Sequence, residues 1–169
     1  VGFEALKFNA SGVSNSGLGF KTLSYNISGN YNTAVGDSAL YKNKGNGNTA
    51  IGANALQTGN DDMHNNTAVG YIALNRNKGI DNTAIGKAAL NFNASGNWNT
   101  AVGCNTLYLN TDGLGNTGIG FYSLQANLLG SYNTAIGYFA LNSNTSGNYN
   151  TALGRHAGDK IYSGHNNVI

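Results

Sequence analysis

Few side chains of this sequence could act in chemistry, and they are scattered along it. Asp61 and Asp62 stand beside a histidine and could together bind a cation, although we favour an acidic, solvated loop. The histidines fall at different positions of the repeat described below, where we expect surface or loop roles. They are His64, His156 and His165.

The remaining reactive residue, Cys104, is the single cysteine of the chain. Other repeats carry Asp, Ala, Tyr, Lys or Phe at its position, so we interpret it as a plain substitution. The glycine-rich pieces "GLGF" and "GIGF" lack the lysine and the third glycine of phosphate-binding loops. A catalytic site needs an asymmetric cluster that a uniform array does not supply. The sequence therefore predicts no enzyme, no cofactor and no metal.

Five N-x-[ST] sequons are candidate glycosylation sites. They are Asn9, Asn26, Asn65, Asn93 and Asn144. Four of them belong to loops of the form N-x-S-G or N-T-S-G, which a glycosylating host could modify. The interpretation that we favour is that each Asn caps a turn through its own side chain.

Composition excludes several classes of partner. Only 9% of the 169 residues are charged, proline is absent, and the chain has 25 glycines and 30 asparagines. The net charge of +2 comes from single, scattered basic residues, so we expect no nucleic-acid partner. No apolar run is long enough to span a bilayer, so we also expect no membrane insertion.

One unit, N-T-A-[VIL]-G-x-x-A-L, repeats along residues 1–169 and predicts a single repeat array. Its glycine recurs mostly every 17 residues, at Gly2, Gly19, Gly36, Gly52, Gly70, Gly86, Gly103, Gly120, Gly137 and Gly154. The preceding asparagines are Asn15, Asn32, Asn48, Asn66, Asn82, Asn99, Asn116, Asn133, Asn150 and Asn166. Length varies only in the loop after A-L, where Met63 takes the place of a loop glycine in one unit.

This period predicts an all-β fold, a parallel β-solenoid or left-handed β-roll of about ten 17-residue coils. Each coil would contain a strand N-T-A-V-G, a bend, a second short strand through A-L, and a return loop. Alternation puts Thr33 and Val35 on one face of the strand, with Asn32 on the other. We expect Val35 and Leu40 to meet inside the coil, with Gly36 at the bend.

The same positions recur in the middle of the array. They are Asn99, Thr100, Val102, Gly103 and Leu107. Because Thr shares its face with the Val/Ile of the motif, we expect the Thr column to be an internal ladder. A flat Thr column facing outward would instead favour an ice- or polysaccharide-surface binder.

The repeated N-T-A-V-G-x-x-A-L motif resembles the head repeats of trimeric autotransporter adhesins. It is also similar to the Asn/Thr-rich arrays of phage tail-fibre and related surface-fibre proteins. The resemblance implies a left-handed β-roll, a homotrimer, and a location on a cell or virion surface. Its implied function is that of a structural and adhesive fibre segment with exposed loops for a host receptor or glycan.

Energetics also favour association, because a coil offers only about two large apolar residues, each worth about 1.5–3 kcal/mol when fully buried. The aromatic residues after the motif glycines form a candidate contact column, at Phe3, Phe20, Tyr71, Phe121 and Tyr138. An alternative function is a self-assembling extracellular filament whose coils stack end to end. Since both termini show ordinary repeat sequence, we expect a section of a longer fibre, with residues 162–169 ordered as a tenth strand.

Overall fold

The computed structural model describes residues 1–58 and 63–169, and these contain nine strands and no helix. The strands are β1 (Ser16–Leu18), β2 (Thr33–Val35), β3 (Thr49–Ile51), β4 (Thr67–Val69), β5 (Thr83–Ile85), β6 (Thr100–Val102), β7 (Thr117–Ile119), β8 (Thr134–Ile136) and β9 (Thr151–Leu153). They form one parallel sheet in chain order. The all-β solenoid of about 17-residue coils is confirmed, with about eight turns in place of the ten expected.

Like residues stack on like residues along the sheet. Between β2 and β3, Thr33 pairs with Thr49 and Val35 with Ile51. The same register joins every neighbouring pair of strands, so the Thr, Ala and Val/Ile positions each form a column. Coil after coil thus repeats the same backbone path, at the interstrand spacing of about 4.8 Å.

The inner face of the strand is the opposite of the one expected. Asn32 and Ala34 are fully buried, whereas Thr33 is exposed and Val35 is only half-buried. Leu40 is fully buried, so the core is a column of Leu against a column of Ala.

The narrowness of the coil explains this reversal. At Gly118, which replaces the motif Ala, an added Cβ would lie 3.5 Å from Cδ1 of Leu107. An alanine methyl therefore already fills the space in front of the Leu. A Val or Ile side chain does not fit there and faces outward instead.

The second strand expected through A-L is absent from the described residues and is replaced by turns. Ser38 has φ of 55° and Leu40 has φ of 49°, and the equivalent positions of the other coils behave alike. Single left-handed residues at every second position curl the chain sharply, which turns the Leu side chain inward. Such strain persists only where the surrounding packing imposes it.

The motif glycine is required at the end of each strand. Gly36 has φ of +124°, and an added Cβ would lie 2.8 Å from the carbonyl carbon of Gly52 in the next coil. The coils approach each other too closely here for any side chain.

The C-terminal residues continue the array in a register that differs by one residue from the expected one. Asn167, not Asn166, stacks on Asn150, and Val168 forms a single parallel bridge with Thr151. Residues 162–169 are therefore paired by a bridge and not by a full strand. Among the described residues no helix is long and apolar enough to cross a membrane.

Candidate functional surfaces

The outer side of the sheet carries exposed and half-buried side chains, and we name it the Thr/aliphatic face. It consists of the first and third residue of each strand, that is, Ser16, Leu18, Thr33, Val35, Thr49, Ile51, Thr67, Val69, Thr83, Ile85, Thr100, Val102, Thr117, Ile119, Thr134, Ile136, Thr151 and Leu153. Ile51 is 41% exposed and Ile85 is 42% exposed although each has neighbours above and below. One column of hydroxyls therefore runs beside one column of aliphatic side chains.

Exposed aromatic rings occur before and after the strand segment. In the eighth coil, Tyr132, Ile136 and Tyr138 are exposed, and Thr134 is half-buried. Tyr132 stacks on Tyr149 at 5.3 Å between ring centroids, and Phe121 stacks on Tyr138 at 5.5 Å. Exposed apolar surface of this extent is typical of an interaction site.

The aromatic column expected after the motif glycines forms in two parts. Phe3 stacks on Phe20 with ring centroids 5.8 Å apart, and Phe121 and Tyr138 are near-parallel at an interplanar angle of 8°. Tyr71 lies between the two parts and is 52% exposed. Non-aromatic residues such as Asp37 and Lys87 occupy the positions in between.

Inside the coils, the motif asparagines form a continuous hydrogen-bonded ladder. Asn99 donates from its backbone N–H and from Nδ2 to Oδ1 of Asn82, at 2.9 and 3.2 Å. Its Nδ2 also donates to the carbonyl oxygen of Gly113 at 2.9 Å. Oδ1 of Asn99 in turn accepts from Asn116. Every polar atom of the buried amide is thus satisfied, which is the condition for burying it.

Loop asparagines form a second ladder, which determines whether the side chains of the sequons are accessible. Nδ2 of Asn93 donates to Oδ1 of Asn77 at 2.6 Å and to the carbonyl of Gly96 at 2.6 Å. Asn26, Asn93 and Asn144 are fully buried in this ladder. A glycan cannot be placed on Nδ2 of these three residues in the folded chain.

The two other sequons differ. Asn9 is half-buried, and its Nδ2 donates to Gly12 at 2.8 Å. Asn65 is exposed, and its side chain donates to no group in the part of the chain that the structure describes. The turn-capping role that we favoured from sequence is thus the observed one at the loop asparagines, while Asn65 stays accessible.

Two of the histidines share one column, contrary to the expectation that all three differ. Nδ1 of His64 accepts from the backbone N–H of Asn46 at 2.9 Å, and Nδ1 of His165 accepts from that of Asn148 at 3.0 Å. Asn30 and Asn46 take the same acceptor role in neighbouring coils. These histidines therefore substitute for asparagines in a structural ladder on the loop side.

The third histidine lies on the aromatic side. His156 stacks on Phe139 with centroids 5.5 Å apart, and its Nδ1 lies 2.8 Å from Oδ2 of Asp159. Cys104 is half-buried and free, between Lys87 and Phe121 in its column. Asp61 and Asp62 lie outside the described residues, and within residues 1–58 and 63–169 no three His, Cys, Asp or Glu side chains gather as a metal site.

Charge interactions are few. The hydrogen bond from Nζ of Lys7 to Glu4, 2.6 Å long, holds the pKa of the Glu4 carboxyl below its ordinary value and raises the pKa of Lys7. Loss of water around Tyr41 raises the pKa of its hydroxyl, and the neighbouring Tyr25 adds to the effect. None of these groups lies on the Thr/aliphatic face, whose chemistry is neutral.

Comparison with protein-family models, with curated proteins and with solved structures gave no match for this chain.

Sequence reasoning missed the outward face. The expectation that the larger residue of the strand points inward led to this error, although the Leu of the motif already supplies a large inward residue in nearly every unit. The T-x-[VIL] pattern of β2 to β9 indicates that the Thr and aliphatic positions share one face of the sheet, but it does not indicate which side of the coil that face takes.

Proposed function

We propose that this chain is a structural and adhesive segment of an extracellular fibre, located on a cell or virion surface. In the fibre, copies of the chain pack their Thr/aliphatic faces together. The single observation that supports the proposal most is the uncovered face itself, nine strands tall and carrying an aliphatic residue on every strand. Half-exposed Val and Ile columns of this height lose water contact when a second surface covers them.

A second copy of the chain is the partner that fits this face best. Any surface that contacts every strand has to repeat at the strand spacing of about 4.8 Å. Another copy repeats at that spacing by construction, so its aliphatic column can meet this one coil by coil. The hydroxyl column beside it supplies Thr side chains that both donate and accept hydrogen bonds.

A closed trimer is the assembly that we favour, because of the resemblance of the repeats to adhesin heads. Closed cyclic symmetry also leaves no Thr/aliphatic face uncovered. The loops and the bends beyond the motif glycines then form the outside of the fibre, where they are displayed to a receptor or glycan. The assembly does no catalysis in this proposal.

The test compares two matched aspartate substitutions. Val102→Asp places a charge in the middle of the face and is expected to dissociate the assembly into folded monomers. Leu129→Asp alters an aliphatic residue that is 58% exposed and lies off the face, so it is expected to leave the assembly intact. Analytical ultracentrifugation reads both results. Assembly that persists in the Val102→Asp variant would contradict the proposal.

One observation favours a second function. The Thr column faces outward, which is the orientation that we associated with an ice-surface binder. The two functions exclude each other on the same face, because a covered face cannot meet ice. Thermal hysteresis shown by a monomer, and lost in Thr100→Leu, would favour the ice binder. Polymers that grow with concentration would favour the end-to-end filament.

A further inference from the structure

A groove lies beyond the bend at the end of the strands. It has a volume of about 340 Å³. Its lining includes Lys87, Ala88, Asn105, Tyr108, Tyr122 and Gln125. With the side chain of Ile72, two rings, two amides, one ammonium and one methyl group meet in a volume that suits a small ligand.

Two side-chain clasps bound the groove along the array. Nδ2 of Asn91 donates to the carbonyl of Ile72 at 2.7 Å, and Nδ2 of Asn142 donates to the carbonyl of Tyr122 at 3.0 Å. Each clasp joins the residue after the A-L pair to a carbonyl of the preceding coil. The two coils between them carry Tyr108 and Gln125 in the place of the asparagine.

The clasp is missing in those two coils, and the groove occupies its place. The carbonyls equivalent to the clasped ones belong to Ala88 and Asn105, and neither accepts a hydrogen bond within the described part of the chain. Ala88 adds only a methyl group, so the floor of the groove is open. Oε1 of Gln125 accepts from Nδ2 of Asn142 at 3.2 Å. Two carbonyl acceptors, the Asn105 amide, Nε2 of Gln125 and two tyrosine hydroxyls are thus left for a ligand.

We propose that this groove binds one neutral pyranose ring of a glycan. A pyranose has an apolar C–H face that packs on an aromatic ring, and hydroxyls around its rim that both donate and accept. Tyr108 and Tyr122 supply rings, the Asn105 amide can both donate to and accept from hydroxyls, and Nε2 of Gln125 can donate to one. Lys87, exposed at the edge, is the only charged side chain of the lining and donates to one hydroxyl.

This groove specifies the class of ligand for the display function proposed above, and the inference rests on that function. It does not use the Thr/aliphatic face, because every residue of its lining lies after a motif glycine and before the return loop. The groove therefore stays open when the face is covered. Oligomer mass and sugar binding can be measured separately on one sample.

The closing experiment titrates the ¹⁵N-labelled full chain with methyl glucopyranoside, methyl galactopyranoside and methyl mannopyranoside. Two-dimensional NMR spectra report each backbone and side-chain amide. At least one of these sugars is expected to shift the signals of Ala88, Asn105 and Gln125, with a dissociation constant in the millimolar range. A parallel titration with methyl glucuronide, which is anionic, tests the charge of the ligand. Binding of that sugar alone would contradict a neutral ligand.

Tyr108→Asn is the decisive variant, because it installs the residue that forms the clasp in adjoining coils. The introduced amide is expected to donate to Ala88, to fill the groove, and to weaken sugar binding about tenfold or more. Tyr41→Asn makes the same exchange in the same column outside the groove and is expected to leave binding unchanged. Absence of shifts at the groove for all three neutral sugars, or equal binding by the Tyr108→Asn variant, would overturn the proposal. The mass of the same samples shows independently whether the assembly is present.

Discussion

Oδ1 of Asn82 accepts two hydrogen bonds from Asn99, one from the backbone N–H at 2.9 Å and one from Nδ2 at 3.2 Å. The relation repeats from coil to coil and makes each asparagine both the acceptor for one neighbour and the donor for another. Aspartate lacks the donors and serine lacks the reach, so asparagine is the residue that satisfies this position. The ladder explains why the motif begins with Asn in nearly every unit.

Asn99→Ala is expected to destabilise the array by about 3 kcal/mol or more. The substitution removes the acceptor of the Asn116 backbone N–H, which is left buried without a partner, and one of the two side-chain donors to the Gly113 carbonyl. Urea unfolding measures the change. The matched control is Asn97→Ser, because Ser131 occupies the same column as Asn97 and its Oγ accepts a backbone N–H at 3.0 Å. A loss as large for the control as for Asn99→Ala would contradict the ladder account.

Leu107→Asp and Val102→Asp are expected to have different effects, although the sequence alone placed both residues inside. Leu107 is fully buried, so an aspartate there should cost more than about 4 kcal/mol and unfold adjacent coils. Val102 is half-buried on the outer face, so its variant should keep the β-sheet far-UV spectrum. Circular dichroism during urea titration separates them. Equal unfolding by both would show that Val102 points inward after all.

Gly103→Ala and Gly154→Ala test the close approach of the coils. Both glycines have positive φ, +131° and +126°, so both variants carry backbone strain of about 1–3 kcal/mol. Only at Gly103 would the new Cβ also meet backbone, 2.6 Å from the carbonyl oxygen of Gly120, while at Gly154 nothing lies within 4 Å. The melting temperature of Gly103→Ala should therefore fall further. Equal melting temperatures of the two variants would contradict the close approach of the coils at Gly103.

Glycans are expected on Asn65 and not on the buried sequons when a glycosylating host secretes the folded chain. Asn26, Asn93 and Asn144 use Nδ2 in the loop ladder, whereas Asn65 is exposed. Peptide mass mapping of the secreted protein locates the modification, and Asn65→Gln is the control that should remove it. A glycan on Asn93 of a correctly folded chain would be incompatible with the buried ladder.

Much of the fold follows from the repeat alone. The period, the fixed N-T-A-V-G segment and the variable loop predict coils, strand positions and like-on-like stacking, because a repeat of 17 residues leaves few other ways to pair its strands. The prediction that Met63 takes the place of a loop glycine was also correct. Nδ2 of Asn48 donates to the carbonyl of Met63, as Nδ2 of Asn32 donates to the carbonyl of Gly45.

What the sequence did not predict depends on dimensions within one coil. Whether Ala34 or Val35 faces inward is decided by the distance from strand to Leu column, which no residue pattern states. Left-handed turns at Ser38 and Leu40 also conflict with local preference and form only because stacking imposes them. The groove depends on residues in adjoining coils that depart from the repeat, so the repeat pattern does not predict it.

The mass of the unmodified chain in solution tests the central claim most directly. The chain mass is 17.5 kDa, and sedimentation equilibrium at micromolar concentration is expected to give one species of three times that value. In that species the Thr/aliphatic face is covered, so amide hydrogen exchange of the strands should slow as the trimer forms. A stable, monodisperse species of 17.5 kDa at the same concentration would contradict the account.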